Sequence, residues 1–457
     1  MCFMGALVFH YGSRQKNLAE PGVFRYSLRG VSQRKRMTIH YDTGKVLRMA
    51  TKAHQLMVKG VKIHNPDTVD IGEEVDLKRI SGDGVILYPG CRVYGDKTLI
   101  LPGAKLGYEG PVTVENCYIG LRVELKGGFF RKAVFLDDVV MGFGAHVREG
   151  TILEEQASVA HTVALKQTLL FPFVTLGSLI NFCDCLMAGG TSRKNHSEVG
   201  SAFIHFNFTP NQDKATASLI GDVPRGVMLN QSPIFLGGQG GLVGPCRLEY
   251  GTVLAAGSIC RKDELRPDRL IQAGGARSAN VAYTRGMHLT LKRIVVNNIH
   301  YIANLMALRQ WYAHVRSEFV GQDFTQELFE GLKETLQMAI EERIARLLAY
   351  CRNLPVSGAP QSVQANRLCE IFSNCSQLER LFLMQKTWQG NDGFRDNFLE
   401  AVHQGILQRG KNYISVIQEI REKPREAGTA WLQGMVDHIV KEALNIFPLL
   451  TTGITEE

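Results

Sequence analysis

Aliphatic residues recur about every six positions in the stretch from residue 236 to residue 263. Leu242, Leu248 and Leu254 mark this repeat, and a small residue or a glycine follows most of its members. Such a period is typical of hexapeptide β-helices, in which each short parallel strand ends in a tight corner and directs an aliphatic side chain into a narrow core. One rung cannot bury its apolar edge alone, so many rungs must stack. The pattern therefore predicts a parallel β-helix.

Similar units extend back to about Val61, each with an aliphatic residue followed by glycine. They are Ile71-Gly72, Ile119-Gly120, Met141-Gly142, Leu176-Gly177, Val199-Gly200 and Ile220-Gly221. Two polar insertions, residues 187–198 and 209–218, interrupt the repeat, which ends near Asp263. Polar insertions on a regular scaffold commonly carry ligand contacts, so we expect contacts of that kind here.

After about Met287 the apolar spacing changes to that of amphipathic helices. One series is Val295, Ile299, Ile302 and Met306, and a second is Leu332, Leu336, Ile340, Ile344 and Leu347. Further helices are predicted around residues 362–388, 393–421 and 429–446. The chain is therefore predicted to be an α+β protein in three segments. These are a basic, disordered N-terminal segment (1–46), a hexapeptide β-helix domain with loop insertions (47–284) and an α-helical domain (285–457).

Charge and composition exclude several classes of function. The net charge is +8, but residues 1–37 hold seven Lys and Arg against one Glu, so the rest of the chain carries only about +2. This balance gives no electrostatic basis for nucleic-acid binding. No apolar run is long enough to span a bilayer, and the first residues lack the features of a secretory signal, so we expect a cytoplasmic protein. The basic segment could also precede the true start at Met37.

The ten cysteines show no repeating metal-site spacing. Cys183 and Cys185 form a single CxC without a second pair to complete a zinc site. We therefore expect reduced thiols in the core and no metal.

Three sequence blocks carry a resemblance to a known family. They are VGSAFIHFNFTPNQDKATASLIGD from Val199, LVGPCRLEYGTVLAAGSICRKD from Leu242 and IGLRVELKGG from Ile119. The β-helix resembles the acetyltransferase half of the bifunctional bacterial enzymes that acetylate glucosamine-1-phosphate and then uridylylate it to UDP-N-acetylglucosamine. This resemblance implies a left-handed coil, a homotrimer with active sites between neighbouring coils, and acetyl-CoA or another acyl-CoA as co-substrate.

A short motif superficially suggests the other activity of those enzymes. Residues 254–257 read LAAG, like the glycine-rich start of a sugar nucleotidyltransferase, but Ser258, Ile259 and Cys260 follow in the hexapeptide register. A motif outside its strand–loop–helix context is weak evidence. We expect no nucleotidyltransferase domain in this sequence.

The resemblance places His161 at the position of the family's catalytic base, in the segment AHTVALKQ. Acyl transfer needs a base near the attacking group, and histidine is the usual choice near neutral pH. His196 and His205 are alternatives, and a purely structural histidine at a rung corner remains open. Ala164 stands where the family has a substrate-binding tyrosine.

The resemblance also implies binding residues for the two substrates. Lys126, Lys214 and Asn181 fall on positions that contact the sugar phosphate or sugar nucleotide, although each could equally be an ordinary residue of the coil. Arg193 lies in a polar insertion suited to phosphates. The positions of the acyl-CoA site are occupied by Asn207, Phe208, Gly238 and Ala256.

Three functions follow as hypotheses, of which the third is a nucleotidyltransferase-related or pyrophosphorylase-related activity that would require a glycine-rich loop the sequence lacks. The first is a hexapeptide-repeat acyltransferase that acts on a small-molecule sugar phosphate or sugar nucleotide of the UDP-N-acetylglucosamine type. The alternative is a non-catalytic sugar-nucleotide-binding protein or assembly scaffold, which the helical extension and Ala164 favour. The helical half itself shows no catalytic pattern.

Overall fold

The computed structural model describes residues 51–207, 214–274, 280, 291–354, 363–385 and 388–451. The predicted N-terminal segment at residues 1–46 and the predicted cofactor-binding residue Phe208 lie outside this part of the chain. Within it, the chain forms a parallel β-helix of 11 turns and then a helical region, which confirms the predicted architecture.

Twenty-nine short strands lie within the described residues. In chain order they are β1 (Lys62–Ile63), β2 (Asp70–Ile71), β3 (Ile86–Leu87), β4 (Arg92–Tyr94), β5 (Leu99–Ile100), β6 (Lys105–Leu106), β7 (Val112–Glu115), β8 (Tyr118–Ile119), β9 (Glu124–Leu125), β10 (Gly128–Arg131), β11 (Ala133–Phe135), β12 (Val140–Met141), β13 (Ala145–Val147), β14 (Thr151–Leu153), β15 (Ser158–Val159), β16 (Val163–Leu170), β17 (Thr175–Leu176), β18 (Ile180–Met187), β19 (Gly190–Ser192), β20 (Asn195–His196), β21 (Glu198–Val199), β22 (Ile204–Phe206), β23 (Ser218–Ile220), β24 (Phe235–Leu236), β25 (Gly241–Val243), β26 (Arg247–Leu248), β27 (Val253–Leu254), β28 (Ile259–Cys260) and β29 (Leu270–Ile271).

The strands of the coil stack in register into three faces. Face 1 has the order β1-β3-β6-β9-β12-β15-β17-β21-β24-β27-β29. Face 2 runs β2-β4-β7-β10-β13 and continues through the first halves of β16 and β18 to β22, β25 and β28. Face 3 runs β5-β8-β11-β14 and continues through the second halves of β16 and β18 to β23 and β26. The antiparallel pair β19 and β20 is an insertion outside the coil.

The hexapeptide period arises because each turn contributes one strand to each face. Leu242, Leu248 and Leu254 lie in β25, β26 and β27, which belong to faces 2, 3 and 1 in that order. All three side chains are at most 2% exposed, as predicted for residues that point into the core. Burial of this size stabilises the fold by about 1.5–3 kcal/mol per leucine side chain.

A helix seals the first turn of the coil. Helix α1 (Lys52–Lys59) begins at Thr51, whose side chain accepts a hydrogen bond from the backbone of His54. The ammonium of Lys52 donates to the carbonyls of Gly72, Glu73 and Val75, and the ammonium of Lys59 donates to those of Leu77, Lys78 and Ile80. Carbonyls at the open edge of the first turn are thereby hydrogen-bonded.

Among the described residues, one short helix, α2 (Val223–Gly226), interrupts the coil, and seven helices follow it. They are α3 (Leu291–His314), α4 (Gln326–Arg352), α5 (Val363–Met384), α6 (Asp392–Arg409), α7 (Tyr413–Gln418), α8 (Glu422–Asn445) and α9 (Pro448–Thr451). None of the helices in the described ranges has the length and apolar character needed to cross a membrane.

The structure corrects two predicted helix boundaries. The segment predicted as one helix at 393–421 is split into α6 and α7, because Gly410 adopts a φ of 71° that ends α6. Asn412 then starts α7 by accepting a hydrogen bond from the backbone of Ser415. Helix α8 begins well before the predicted residue 429, because Pro424 falls in its first turn, where a missing N–H costs little.

The helical region packs on face 3. Helix α4 contacts β8, β11 and β14, and helix α3 contacts β23. Their apolar sides are buried as the spacing predicted, since Val295, Ile299, Ile302 and Met306 are all fully buried. Faces 1 and 2 retain exposed outward side chains, and the corner between these two faces carries the predicted catalytic histidine.

Candidate functional site

Seven residues on consecutive turns form a column at the corner between faces 1 and 2. The strand register aligns Gly127, Phe143, His161, Ser178, Ser201, Gly238 and Ala256. We call this set the corner column. Neighbouring parallel strands lie about 4.8 Å apart, so Gly238 and Ala256 are roughly 14 and 19 Å from His161 along the coil. The fold therefore brings the predicted base and two of the predicted acyl-CoA residues to one edge.

His161 projects into solvent from this corner. Its Nδ1 lies 2.9 Å from the Oγ of Ser178 on the next turn. The Oγ of Ser201, one turn further, accepts a hydrogen bond from the backbone N–H of Ser178 at 3.1 Å. A hydroxyl that accepts the Nδ1 proton leaves the lone pair of Nε2 available for proton transfer. The His161–Ser178 pair thus has the arrangement of a base held by a second polar group.

Ser178 was not predicted from the sequence. It follows His161 by 17 residues, and only the length of the intervening turn reveals that the two side chains are neighbours. Alignment of the rungs β15–β16 and β17–β18 would have placed both residues at the same corner position.

Lys126 lies at the same corner, two turns before His161. Strand register aligns it with Gly142, next to Phe143 of the corner column. Its ammonium is 3.2 Å from the Glu109 carboxylate, and its side chain is 30% exposed. At about 4.8 Å per turn, Lys126 and His161 are roughly 10 Å apart along the coil. Lys126 therefore lies at a separation that one phosphorylated sugar can span.

Asn181 lies on face 2, beside the corner column. It is exposed in β18, directly after Ala164 in the strand register. Its Oδ1 accepts a hydrogen bond from the thiol of Cys183 at 3.2 Å. The carboxamide NH₂ has no hydrogen-bond partner among the described residues, so it remains available to a ligand.

Asn207 and Lys214 lie at a different corner, between faces 2 and 3. The Asn207 amide donates to the Asp184 carboxylate at 3.3 Å, and that carboxylate also pairs with Arg343 of α4 at 3.0 Å. Lys214 is exposed, with a φ of 52°. In one chain these residues are separated from the corner column by the width of face 2.

Arg193 and His196 lie at the third corner, between faces 3 and 1. Arg193 Nη1 donates to the backbone carbonyls of Gln156 and Phe173 at 3.0 and 2.7 Å, and to the hydroxyl of Thr175. His196 lies in β20, with Nε2 3.6 Å from the Glu198 carboxylate. The insertion at 187–198 is thus fastened to the coil, and it lies far from His161 within one chain.

His205 is enclosed in the core of the coil. It is 1% exposed, and its Nε2 is 2.8 Å from the hydroxyl of Ser218. Burial lowers the pKa of His205 to about 4. A buried, neutral imidazole fits a structural role better than proton exchange with a substrate.

The LAAG segment lies within the coil, as the hexapeptide register predicted. Leu254 ends β27, and Gly257 makes the following corner with a φ of 72°. No strand–loop–helix unit is formed there. The described part of the chain also contains no cluster of three His, Cys, Asp or Glu side chains that could hold a metal ion.

The chain is similar in sequence to known proteins over part of its length. The chain is 27% identical over 213 residues to the bifunctional protein GlmU of Thermotoga maritima, a match that covers 46% of this chain and 42% of that protein. GlmU of Trichlorobacter lovleyi is 28% identical over 217 residues, covering 47% and 42%. GlmU of Carboxydothermus hydrogenoformans is 26% identical over 229 residues, covering 50% and 45%. No family model matches the chain.

A solved structure of LpxA from Acinetobacter baumannii is also similar, at 9% sequence identity. The match covers 61% of this chain and 95% of that one, with a TM-score of 0.14. A score so low supports no conclusion about function.

The chain spans about two-fifths of the length of the curated relatives that it matches. Over a little under half of its own length it is similar to bifunctional GlmU proteins, and the predicted resemblance is confirmed.

Proposed function

We propose that the protein is a hexapeptide-repeat acyltransferase that uses an acyl-CoA, with acetyl-CoA as the first candidate, to acylate a sugar phosphate or sugar nucleotide. The observation that carries this proposal is the exposed His161 imidazole, held through Nδ1 by Ser178 at 2.9 Å on the edge that also contains Gly238 and Ala256. The similarity to GlmU proteins supports the class of reaction.

In this reaction His161 Nε2 accepts a proton from the amine or hydroxyl of the acceptor as that group attacks the thioester carbonyl. A new C–N or C–O bond forms, and the C–S bond of the thioester breaks. The proton then passes to the departing CoA sulfur, which restores the neutral imidazole. Ser178 acts as a positioning residue, because it contacts the base rather than the reacting atoms. Lys126 supplies a positive charge for the acceptor's phosphate.

The proposal includes a homotrimer. Asn207, Lys214 and the corner column lie at different corners of one coil, and a neighbouring coil could bring them to one site. Helices cover face 3, which leaves faces 1 and 2 for such contacts. Both carry exposed apolar side chains, among them Phe235 at 40% and Val253 at 37% on face 1 and Ile204 at 42% on face 2. Sedimentation equilibrium should give a trimer at micromolar concentration, and a monomer would count against the shared site.

The test of the base is His161→Ala, assayed with acyl-CoA and candidate acceptors. Loss of a general base should lower kcat by roughly 10²- to 10⁴-fold. Thermal stability and CoA binding should stay close to those of the wild type, because the imidazole is exposed. His403→Ala, which alters an exposed histidine of α6, is the matched control. Unchanged turnover in folded His161→Ala would remove His161 from the site.

Ser178→Ala sharpens the same test. A positioning residue should affect kcat more than KM, and the loss should be smaller than that of His161→Ala. Ser178→Thr retains a hydroxyl and should recover part of the activity. If Ser178→Ala only lowers stability, the hydroxyl is structural.

A non-catalytic sugar-nucleotide-binding scaffold is the second candidate. The helices on face 3 and Ala164 at the family's tyrosine position favour it. A thermal-shift screen with acetyl-CoA, free CoA and UDP-N-acetylglucosamine separates the two, because a ligand that binds the folded state raises its melting temperature. A scaffold should respond to the sugar nucleotide alone.

A further inference from the structure

The outward side chains of face 2 form two parallel columns next to the corner column. The first contains Phe129, His146, Ala164 and Asn181 on consecutive turns. The second contains Arg131, Arg148, Lys166 and Cys183 on the same four turns. Aromatic and small residues thus run alongside a row of cations.

The first column contains a gap at Ala164. His146 is exposed, and its ring stacks on Phe129 with centroids 5.2 Å apart and planes 24° apart. Because Phe129 lies on the preceding turn, the opposite face of the imidazole is directed towards Ala164. Asn181 stands on the turn after Ala164. His146 and Asn181 are therefore about 9.6 Å apart along the coil, with only a methyl group between them.

A gap of this size matches one planar ring. Two van der Waals contacts of about 3.5–4.0 Å need roughly 7–8 Å, which the two turns provide. The imidazole of His146 would stack on one side of the ring. On the other side the free NH₂ of Asn181 can donate a hydrogen bond to a ring carbonyl or nitrogen. The Ala164 methyl would form the floor.

The second column supplies positive charge beside this gap. The carboxylate of Glu149 bridges Lys166 at 2.9 Å and Arg131 at 3.2 Å. Partial burial opposes the ionisation of Glu149, but the hydrogen bonds from Lys166 and Arg131 prevail and lower its pKa to about 2. Arg148, between those two cations, has no ion-pair partner among the described residues. Glu115 adjoins Arg131 at the far end of the row.

We infer that the slot over Ala164 binds the base of a nucleoside phosphate, with its phosphates on Arg148 and Lys166. A guanidinium binds phosphate oxygens through two parallel hydrogen bonds, and an ammonium adds a point charge. This inference rests on the proposed function, because both of its candidate substrates, a sugar nucleotide and an acyl-CoA, carry a base and phosphates. Uridine in the slot would make the acceptor a sugar nucleotide rather than a simple sugar phosphate, and adenine in the slot would locate the nucleotide part of the acyl-CoA donor.

The direct test measures dissociation constants of UDP, ADP and inorganic pyrophosphate by isothermal titration calorimetry, without acyl donor. Stacking of one base should make a nucleotide bind roughly 5- to 100-fold more tightly than pyrophosphate. Tighter binding of UDP identifies a sugar nucleotide as the source, and tighter binding of ADP identifies the adenine of CoA. If neither nucleotide binds more tightly than pyrophosphate, the inference is overturned.

Variants locate the slot. Ala164→Phe should remove the advantage of the nucleotide while leaving pyrophosphate affinity within about twofold, because the new ring fills only the gap. Thr113→Phe is the matched control, since Thr113 lies in the same column on the other side of Phe129. Arg148→Ala should weaken both ligands by roughly 10- to 100-fold. If Ala164→Phe leaves nucleotide affinity unchanged in a folded protein, the base binds elsewhere and the inference is wrong.

The inference and the proposed function fail in distinguishable ways. Nucleotide binding that Ala164→Phe blocks, without acyl transfer to any acceptor, would keep the slot and reject the acyltransferase. Acyl transfer by a protein that binds nucleotides no better than pyrophosphate would keep the acyltransferase and reject the slot.

Discussion

The exposed corner between faces 1 and 2 and the helix-covered face 3 show how one repeat can serve two purposes. At the corner between faces 1 and 2, polar side chains such as His161 and Lys126 remain exposed. Against the helical region, charged side chains of the same coil are buried. Tyr312 donates to Glu154 at 2.5 Å, and Arg316 pairs with Glu155 at 2.5 Å while its guanidinium lies over the ring of Tyr413. The aliphatic residues that point into the core follow the same repeat in both regions, and only the outward-pointing residues differ.

This contrast warns against using perturbed titration alone to find an active site. Burial raises the pKa of Asp137 to about 7, and burial likewise raises that of Glu154 to about 7. Both carboxyls lie at the helix-covered side rather than beside His161. Structural ion-pair networks perturb titration as active sites do. Here Glu154 accepts a hydrogen bond from Tyr312 of α3, and Asp137 accepts one from the backbone of Leu121, whereas His161 remains exposed to solvent.

The largest loss of stability is expected for a substitution under the helices that cover face 3. Arg316→Ala removes the ion-pair partner of the Glu155 carboxyl under the helices, which should lower the free energy of unfolding by about 3–5 kcal/mol. Urea denaturation measures this change. Arg122→Ala is the matched control, because the Arg122–Asp138 pair is exposed and should contribute about 0–1 kcal/mol. Equal losses would show that the helices do not bury Arg316 as described.

The next largest loss of stability is expected for substitutions in the apolar core of the coil. Leu254→Ala should leave a cavity and cost about 2–5 kcal/mol. Val253→Ala, in the same strand but 37% exposed, should cost much less. Denaturant midpoints of the two variants check the inward and outward assignment. If both variants lose the same stability, the hexapeptide register is wrong.

A smaller effect is expected on the way in which thermal stability depends on pH. The folded protein retains protons on Glu154 and Asp137 that the unfolded chain releases near pH 4.5 and 3.8. This contribution to stability is complete below about pH 4 and is lost as pH rises towards 7. The buried His205, whose pKa is lowered from 6.5 to about 4, contributes the opposite slope over part of this range. The carboxyl contribution is therefore measured as the difference in melting temperature between the wild type and Glu154→Gln from pH 4 to pH 8. That difference should shift steadily in favour of Glu154→Gln as pH rises, and a pH-independent difference would contradict the role of Glu154.

The smallest effect is expected on exposed face 1. The Lys105 ammonium is 2.8 Å from Glu124, but both side chains are more than 30% exposed. Lys105→Met should therefore change the free energy of unfolding by less than about 1 kcal/mol. Added salt should remove most of that difference. A salt-independent loss comparable to that of Arg316→Ala would show that exposed and helix-covered ion pairs contribute equally to stability, which would contradict the comparison.

The sequence predicted the repeat well because the hexapeptide period depends only on local spacing. Leu242, Leu248 and Leu254 each fall on a different face, as one strand per face requires. The apolar spacing of α3 was equally informative. Helix ends were less so, because the break at Gly410 depends on a left-handed backbone conformation.

The site was only partly predictable because its geometry depends on the number of residues in each turn. The resemblance named His161 and Lys126 as site residues, and the structure places both at one corner. The residue count of each insertion decides which corner a later residue reaches. Arg193, expected to bind phosphate, instead fastens its insertion to backbone carbonyls. The gap at Ala164 became visible only when its neighbours on adjacent turns were known.

Helix α1 has a consequence for assembly. A solenoid has an unpaired strand edge at each end, and such an edge is a template for β-pairing with another chain. The lysine side chains of α1 bond carbonyls of the first turn, and α1 packs against β1 and β2, so we expect α1 to hinder fibre-like growth from that end. Terminal caps of this kind keep repeat proteins discrete. Loss of α1 should therefore convert a particle of fixed length into one prone to end-to-end polymerisation.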